Sequence, residues 1–197
     1  EYLKSMYNPR VTQYLRVTGF EKKCDGAAAV VVMPTEKAKA MGVPYAPIEV
    51  LGTGASAVEA GLLHNEHWAT ELAAKQVYDL TGVSPDEIDL FMCNDFFLAS
   101  EIVSAEECGY IPRGEAWKYA IDGRTAFDGD KPINPHGGRC NFGHAHGASG
   151  IADIVEAVKQ MRGVAGATQM KKVPETAFLR GFGGSQNVRC QILRTVA

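Results

Sequence analysis

The chain has 197 residues, of which 46% are hydrophobic and 22% are charged, and it carries a formal net charge of −3. This composition is that of an ordinary globular protein, and the length suits one sizeable domain, or one domain and a piece of another. The slightly acidic balance, with a sequence pI near 6.0, lacks the basic footprint of a protein that binds nucleic acid.

The sequence shows no sign of export or of a membrane span. No apolar run approaches the ~20 residues that a spanning helix needs, and the first residues, EYLKSMYNPR, do not form a basic stretch followed by an apolar one. The five cysteines are odd in number and irregularly spaced, which argues against a disulfide framework. We therefore expect a cytoplasmic protein.

The first elements in chain order are a loop and a strand. Residues 1–22 have little periodicity and predict a loop with short helical turns. The run CDGAAAVVVMP, residues 24–34, is compact and apolar, and it predicts a strand buried on both faces. A short helix, TEKAKAMG, should follow and close at Gly42.

A second strand is predicted at residues 46–52, followed by a glycine-rich loop that ends near His64, His67 and Trp68. This loop is either a polar connection packed on a core aromatic residue or a segment that gates a substrate site. A helix is predicted from Thr70 to Leu80, with Leu72, Val77 and Leu80 facing inward.

Residues 84–108 predict a turn, a buried strand and a helix. Ser84 caps the turn, Pro85 takes the first helical position, and the strand IDLFMCN follows. Asn94 and Asp95 lie where this strand meets a helix at residues 98–108. A polar pair in that position either faces a binding crevice or caps the helix.

Residues 109–132 are rich in glycine, proline and charge, and they predict a long surface excursion that serves as a lid or an interface. Aromatic and aliphatic side chains in such a segment either anchor an interface or hold the loop on its own domain. They are Tyr110, Ile111, Trp117, Tyr119 and Phe127.

The stretch 133–150, INPHGGRCNFGHAHGASG, is a glycine-rich turn directly ahead of an amphipathic helix that Gly163 stops. Such a turn can bind an anion or oxyanion at the helix N-terminus, or it can be a simple tight connection. A metal site is a further alternative, with His136, Cys140, His144 and His146 as candidate ligands. Their spacing matches no standard zinc framework, so we expect no metal.

The C-terminal residues ETAFLRGFGGSQNVRCQILRTVA predict a β-hairpin about a glycine turn. The alternation of strands and helices along the chain predicts an α/β fold. We expect one mixed, mostly parallel five-stranded sheet with helices on both faces.

The block GG-x4-GHAHGASG resembles the GG-x4-GHPxGASG block of the thiolase superfamily, nearest to thiolases of the sterol-carrier-protein type. In that family the histidine activates the nucleophilic cysteine and helps to bind the thioester oxyanion, so the resemblance makes His144 catalytic. Asn94-Asp95-Phe96-Phe97 resembles the family's NEAF motif, written HDCF in the sterol-carrier relatives, which implies that Asn94 is catalytic and faces the oxyanion or a water. Two departures, Ala145 for proline and His146 for an apolar residue, affect the shape of the acyl pocket.

The resemblance also implies a thiolase-like fold made of two halves. Residues 1–45 are then the end of the N-terminal half, and residues 46–197 form the C-terminal half. Coenzyme A is the implied co-substrate, with no other cofactor. The implied substrate-binding residues are Asp95, Gly143, His146, Gly147, Gly181 and Gly183.

Two parts of the family's chemistry are missing from this sequence. The second cysteine belongs in a Cys-x-Gly motif, but the turn Leu179-Arg180-Gly181-Phe182-Gly183-Gly184 has none, and Cys93, Cys140 and Cys190 do not occupy that position. The nucleophilic cysteine lies in the family's N-terminal half, so we expect it outside this chain, in a longer polypeptide or in the other part of a split enzyme.

The implied activity is that of an acyltransferase that cleaves or forms the C–C bond of a 3-oxoacyl-CoA thioester. Two alternatives remain open: a thiolase-like aldolase of the lipid-transfer-protein kind, which needs no cysteine nucleophile, and a non-catalytic thiolase-like subunit. The implied partners are an acyl-CoA substrate, a second copy of the chain, and a small zinc-containing OB-fold protein.

Overall fold

The computed structural model describes residues 4–57, 66–183 and 187–196. Within these ranges the fold is a single mixed sheet with four strands in the order β1-β4-β3-β2. The strands are β1 (Ile48–Ala57), β2 (Leu90–Cys93), β3 (Thr176–Gly183) and β4 (Asn187–Thr195). The helices are α1 (Thr35–Ala40), α2 (Glu66–Thr81), α3 (Leu98–Glu107), α4 (Ala116–Ile121), α5 (Gly138–Asn141) and α6 (His146–Met161).

The prediction of a five-stranded, mostly parallel sheet is wrong. Among the described strands, β2 and β3 run parallel, whereas β4 pairs antiparallel with both β3 and β1. The C-terminal hairpin is present as predicted, and it puts β4 between β3 and β1. The apolar pattern of a buried strand does not show whether the strand runs parallel or antiparallel to its neighbour. The proportion of parallel strands was therefore predicted wrongly.

The run at residues 24–34 does not form the predicted strand. Lys23 makes an isolated bridge to His144, but beyond it the chain is extended and pairs with none of the described strands. The side chains of Val31 and Val32 are 83% and 82% exposed. Apolar composition predicted burial, but a strand also needs a neighbouring edge for its backbone hydrogen bonds, and the described sheet offers none here.

Strand β1 extends further than predicted, because its glycines serve packing and not a loop. A Cβ atom built on Gly54 would lie 2.0 Å from the backbone oxygen of Ala73 in α2. Glycine therefore lets the helix lie directly on the strand. Strand β1 reaches Ala57, and the rest of the predicted glycine-rich loop, residues 58–65, lies outside the described residues.

Helices cover both faces of the sheet. Strand side chains alternate between two apolar clusters: Phe91 and Phe178 pack with α2 and α3, while Leu90, Met92 and Leu179 pack with α6. Each fully buried side chain of this size contributes about 1.5–3 kcal/mol, so the two clusters fix the sheet between its layers. No helix in the described ranges is long and apolar enough to cross a bilayer.

Residues 109–132 are only partly a surface excursion. Tyr110 and Ile111 are buried, and the Tyr110 ring stacks on Phe91 with centroids 5.1 Å apart. These residues hold the segment on its own domain. Trp117 and Phe127 are 53% and 41% exposed, so the interface interpretation remains open for them.

The chain after this segment returns to the edge of β2. Ile133 makes an isolated parallel bridge with Phe91, and the Asn134 side chain then continues the pairing. Its Oδ1 accepts a bond of 2.9 Å from the Cys93 N–H, and its Nδ2 donates one of 3.1 Å to the Cys93 carbonyl. This connection places the glycine-rich turn next to the end of β2.

Candidate functional site

A cleft of about 360 Å³ opens where the glycine-rich turn meets the ends of β2 and β3. The carboxyl ends of parallel strands are the usual binding edge of α/β sheets. The cleft is lined by Asn94, Arg139, His144, His146, Gly147, Ser149, Gly150, Asp153, Gly181, Phe182, Gly183, Asn187 and Arg189.

His144 is held at the cleft by main-chain and side-chain bonds. Its N–H donates to Lys22 O at 2.7 Å, and its carbonyl accepts from the Cys24 N–H at 3.3 Å. Its Nδ1 lies 2.9 Å from the Ser149 hydroxyl, which itself donates to Ala145 O at 3.1 Å. Because the hydroxyl proton is used there, Ser149 accepts from Nδ1–H, and Nε2 keeps a free lone pair.

The His144 side chain is nearly buried, and burial is the main cause that lowers its pKa from the usual value. Arg139 and His146 lower the pKa further, whereas the nearby Glu21 carboxylate raises it. The ring is therefore neutral at pH 7, with its basic nitrogen available. A neutral, oriented imidazole is what a general base requires.

Glu21 belongs to the site although its sequence context gave no signal for it. Its N–H donates to Phe96 O at 2.9 Å, which holds residues 20–24 against the turn. Its carboxylate lies 3.5 Å from Nε2 of His144 and 3.7 Å from Nε2 of His146. The site thus includes a residue from the part of the chain that we assigned to the other thiolase half.

Glu21, His144 and His146 offer three possible metal-ligand atoms within 4.8 Å of one another. The two imidazoles are stacked, with centroids 4.5 Å apart and planes at 29°. An imidazole binds a metal in its own plane, so nearly parallel rings cannot share an ion unless the exposed His146 rotates. This arrangement favours proton transfer over metal binding.

Asn94 lies at the end of β2 with its side chain in the cleft. Its Nδ2 donates a long bond of 3.4 Å to Phe182 O, and its buried Oδ1 has no hydrogen-bond partner. The N-cap of α3 is Phe97, and no side chain caps that helix. The Asn94 amide therefore lines the cleft with incomplete hydrogen bonding, and the capping alternative does not describe it.

Asp95 points away from the cleft lining. It is buried, and its Oδ1 accepts a bond of 2.8 Å from the Arg139 N–H at the start of α5. A Cβ atom on Gly138, whose φ is +62°, would lie 2.0 Å from Asp95 Oδ2. Burial raises the pKa of Asp95, and bonds from the α5 backbone oppose that shift. Its contacts are those of a residue that shapes the turn.

The four predicted glycines divide into two groups. Gly143 has φ +105°, and a Cβ there would lie 2.8 Å from Cys24 Sγ, so it permits the close approach of residues 22–24. Gly147, Gly181 and Gly183 line the cleft, and a Cβ on any of them would meet no atom closer than 3.8 Å. These three leave space for a ligand.

Arg139 and Asp153 form a buried ion pair beneath the cleft, which sequence reasoning did not find. Arg139 also donates from Nη2 to Ser149 O at 2.9 Å. Burial raises the pKa of Asp153 to about 7, against the opposing effect of Arg139. The pair and the Ser149 bond tie α5 to the N-terminal half of α6 and so position Ser149 and His144.

None of the chain's five cysteines, all within the described ranges, lines this cleft. Burial raises the thiol pKa of Cys93 and Cys108, and raises that of Cys140 to about 11. High thiol pKa values disfavour the reactive thiolate.

Four further residues of the sequence analysis cannot be placed. His64, Gly184 and the side chains of His67 and Trp68 lie outside the described residues. The gating-loop interpretation therefore stays a prediction.

The fold and the turn that bears His144 and His146 are those of one class of protein. Comparison with known families identifies that class. Residues 54–194 match the family described as "Thiolase C-terminal domain-like", and the chain belongs to this family. The sequence resemblance to thiolases is thereby confirmed, as is a thiolase-like α/β fold.

The curated relatives are thiolases and proteins related to them. The chain is 36% identical over 171 residues to the benzoylsuccinyl-CoA thiolase subunit BbsB of Thauera aromatica, covering 84% of this chain and 43% of that protein. It is 34% identical over 192 residues to an acetyl-CoA acetyltransferase of Methanothermobacter thermautotrophicus, covering 93% and 49%. It is 31% identical over 153 residues to sterol carrier protein 2 of Oryctolagus cuniculus, covering 74% and 28%. The chain thus spans about half the length, or less, of the curated relatives it matches.

Among solved structures, a chain of the Ltp2-ChsH2(DUF35) aldolase superposes with a TM-score of 0.79. It is 22% identical, and the match covers 95% of this chain and 49% of that one. At this identity the likeness speaks for the fold alone.

Proposed function

We propose that the complete protein is a thiolase-type acyltransferase that cleaves or forms the C–C bond of a 3-oxoacyl-CoA thioester. The observation that carries the proposal is the state of His144, whose pKa is lowered by burial, whose Nδ1 is held by Ser149, and whose Nε2 lies at the cleft, 3.5 Å from the Glu21 carboxylate. Thiolase chemistry needs a base for a cysteine nucleophile, a second acid or base, and donors for the oxyanions.

In this proposal His144 takes the proton of the nucleophilic cysteine, which belongs to a part of the protein outside this chain. The Asn94 amide and the imidazole, once protonated, donate to the carbonyl oxygen on which negative charge develops. Gly147, Gly181 and Gly183 leave room for the thioester. The Glu21–His146 pair, whose atoms are 3.7 Å apart, supplies the second acid or base in place of the missing cysteine.

Thiolysis of a 3-oxoacyl-CoA by the full-length protein tests this function. The wild type should consume free coenzyme A in step with the thioester. His144→Ala should reduce that rate by at least about 10³-fold, since it removes both a base and an oxyanion donor. Phe142→Ala is the matched control, because Phe142 is an exposed residue of the same turn and does not line the cleft. An H144A rate within twofold of wild type would overturn the assignment.

A retro-aldol reaction on a 3-hydroxyacyl-CoA is the second candidate. It is favoured by the absence of any described cysteine from the cleft lining, because aldol cleavage needs acid–base groups and no thiol nucleophile. The two functions separate cleanly: the aldolase releases a carbonyl compound without free coenzyme A, and the thiolase requires the free thiol.

The proposal includes assembly and location. We expect a homodimer and a small zinc-containing OB-fold partner, with coenzyme A as co-substrate and no other cofactor. One relative is named as a subunit, and the structural neighbour's name includes a DUF35 component. The exposed Trp117 and Phe127 offer contact area for such partners. A cytoplasmic location follows from the irregular cysteines.

A further inference from the structure

Arg180, in β3, is a buried cation with incomplete hydrogen bonding. Arg180 is only 6% exposed to solvent. Its Nη2 donates a hydrogen bond of 3.1 Å to the Thr70 hydroxyl. Its Nε and Nη1 are buried without any hydrogen-bond partner. Among the described residues no salt bridge joins Arg180 to a carboxylate, and the only charge-related contact is the Phe182 ring, 5.0 Å from the guanidinium carbon.

Such an arrangement is costly in a protein without a ligand. A buried charge without a partner costs several kcal/mol, and almost all buried polar groups in native proteins are satisfied. The Thr70 bond and the Phe182 contact offset only part of this cost. The Nε and Nη1 donors of Arg180 are therefore available to an acceptor that a ligand brings.

The side chain borders a cavity of about 190 Å³ between β3 and α3. An apolar cavity of about 150 Å³ holds a benzene ring, so this one accommodates a single ring or a short alkyl chain with a polar end. Three of its walls are aromatic, and they are Phe96, Phe97 and Phe182. The combination of apolar walls and one cation fits a hydrophobic group that carries a carboxylate.

The cavity adjoins the candidate catalytic cleft. Phe182 lines both spaces, and the Arg180 carbonyl accepts a bond of 3.2 Å from the Asn94 N–H. The Phe182 side chain is thus a common wall of the two spaces, and it separates the candidate catalytic residues from the Arg180 guanidinium.

We infer that the Arg180 cavity is an acyl subsite that binds a carboxylate at the distal end of the thioester substrate. This assignment rests on the proposed function and narrows its substrate class to acyl groups that bear a second acid. Glu107 is the one acidic side chain in the cavity lining, and it has an interaction of its own with the chain. Its charge limits how deeply the carboxylate enters and favours contact with Arg180.

Direct binding tests the cavity without relying on turnover. The probe is benzoate, with benzamide as its uncharged counterpart, titrated into the full-length protein by calorimetry. Benzoate should bind the wild type at least tenfold more tightly than benzamide does, because a charge-assisted bond is about twice as strong as a neutral one. Arg180→Met, which keeps the apolar stem and removes the charge, should weaken benzoate at least tenfold.

Arg194→Gln is the matched control. Arg194 lies in the adjacent strand and donates to a threonine hydroxyl as Arg180 does, at 3.1 Å, but it already has a carboxylate partner in Glu87 at 3.2 Å. R194Q should therefore leave benzoate binding unchanged. Equal benzoate affinity of R180M and wild type, or equal affinity of wild type for benzoate and benzamide, would overturn the subsite.

Kinetics then ties the subsite to the reaction. A 3-oxoacyl-CoA ending in a carboxylate is compared with its methyl ester. R180M should lower kcat/KM for the acid by roughly 10–100-fold and leave the ester within twofold. Equal losses for both substrates would contradict the assignment. If no thioester is turned over by any variant, the proposed function fails, and the benzoate titration alone decides the Arg180 cavity.

Discussion

His144 illustrates how neighbours set the chemistry of one side chain. Ser149 fixes which ring nitrogen carries the proton, because its hydroxyl proton is committed to Ala145 O. Burial lowers the pKa of the ring, and Glu21 opposes that shift from 3.5 Å away. The result is an imidazole whose pKa lies below the usual value for histidine.

The pH dependence of activity follows from the directions in which burial and Glu21 shift the pKa of His144. An ordinary histidine has a pKa near 6.5, so the lowered pKa of His144 should place the acid limb of kcat/KM below about pH 6.5. Glu21→Gln removes the charge that raises the pKa, so the limb should move to still lower pH. Rate profiles of wild type and E21Q measure this, with Glu115→Gln, whose partner Lys118 lies at the surface, as control. An E21Q limb at higher pH than wild type would contradict the electrostatic account.

The Asn94 amide is predicted to act on the rate and not on stability. Its side chain makes one long bond, to Phe182 O, and caps no helix. Asn94→Ala should therefore lower turnover by roughly 10²-fold, as removal of an oxyanion donor does, and change the free energy of unfolding by less than about 1 kcal/mol. Steady-state kinetics and chemical denaturation measure the two effects. A loss of stability with unchanged turnover would mean that Asn94 is structural.

At the scale of elements, glycines set how closely helices and turns approach the sheet. In β1 the missing Cβ of Gly54 leaves room for the Ala73 carbonyl, and in the turn the missing Cβ of Gly138 leaves room for the Asp95 carboxylate. From the sequence alone, Gly54 was predicted to lie in a loop and Gly138 in a turn. Local sequence does not report what lies across from a glycine.

Gly54→Ala should therefore destabilise the protein strongly. The added Cβ would meet backbone, which cannot rotate away, so we expect a loss of about 3 kcal/mol or more in the free energy of unfolding. Gly150→Ala is the control, since it lies in α6 with no atom within 4 Å of the new Cβ, and alanine there should stabilise the helix by up to about 1 kcal/mol. Denaturant titration of both variants checks this, and equal stabilities would refute the packing role.

At the scale of the whole molecule, the described chain leaves apolar surface without a partner. Val31 and Val32 are exposed in an extended segment, and Trp117 and Phe127 are exposed in and beyond α4. Exposed large apolar side chains can anchor an interface. Trp117 and Phe127 are therefore the residues at which the proposed assembly can be tested.

We expect the full-length protein to be a dimer in light scattering, and Trp117→Ala to weaken assembly at least tenfold. Truncating a tryptophan at an interface commonly costs 2 kcal/mol or more. The small zinc-containing partner, if it uses the same surface, should be lost from W117A on co-purification. Leu80→Ala serves as control, because Leu80 at the end of α2 is 66% exposed and does not face inward as predicted. A wild-type monomer at micromolar concentration would rule out the homodimer.

The sequence by itself determined the α/β class, the C-terminal hairpin, the turn at Ser84, helix α3 and the helix that follows the glycine-rich turn. Each of these features depends on local causes. Apolar periodicity, capping residues and turn residues act over a few positions, so they can be predicted from the order of residues in the sequence. The GHAHGASG block also identified the family and selected His144, because its residues are contiguous.

Only the tertiary structure decided what depends on distant neighbours. Strand direction and the exposure of residues 24–34 depend on which edges are present, and the extension of β1 depends on the helix above Gly54. The contacts of Glu21 with His144 and the unfilled donors of Arg180 join positions far apart in sequence. Burial and pairing are properties of the folded neighbourhood, so no local pattern encodes them.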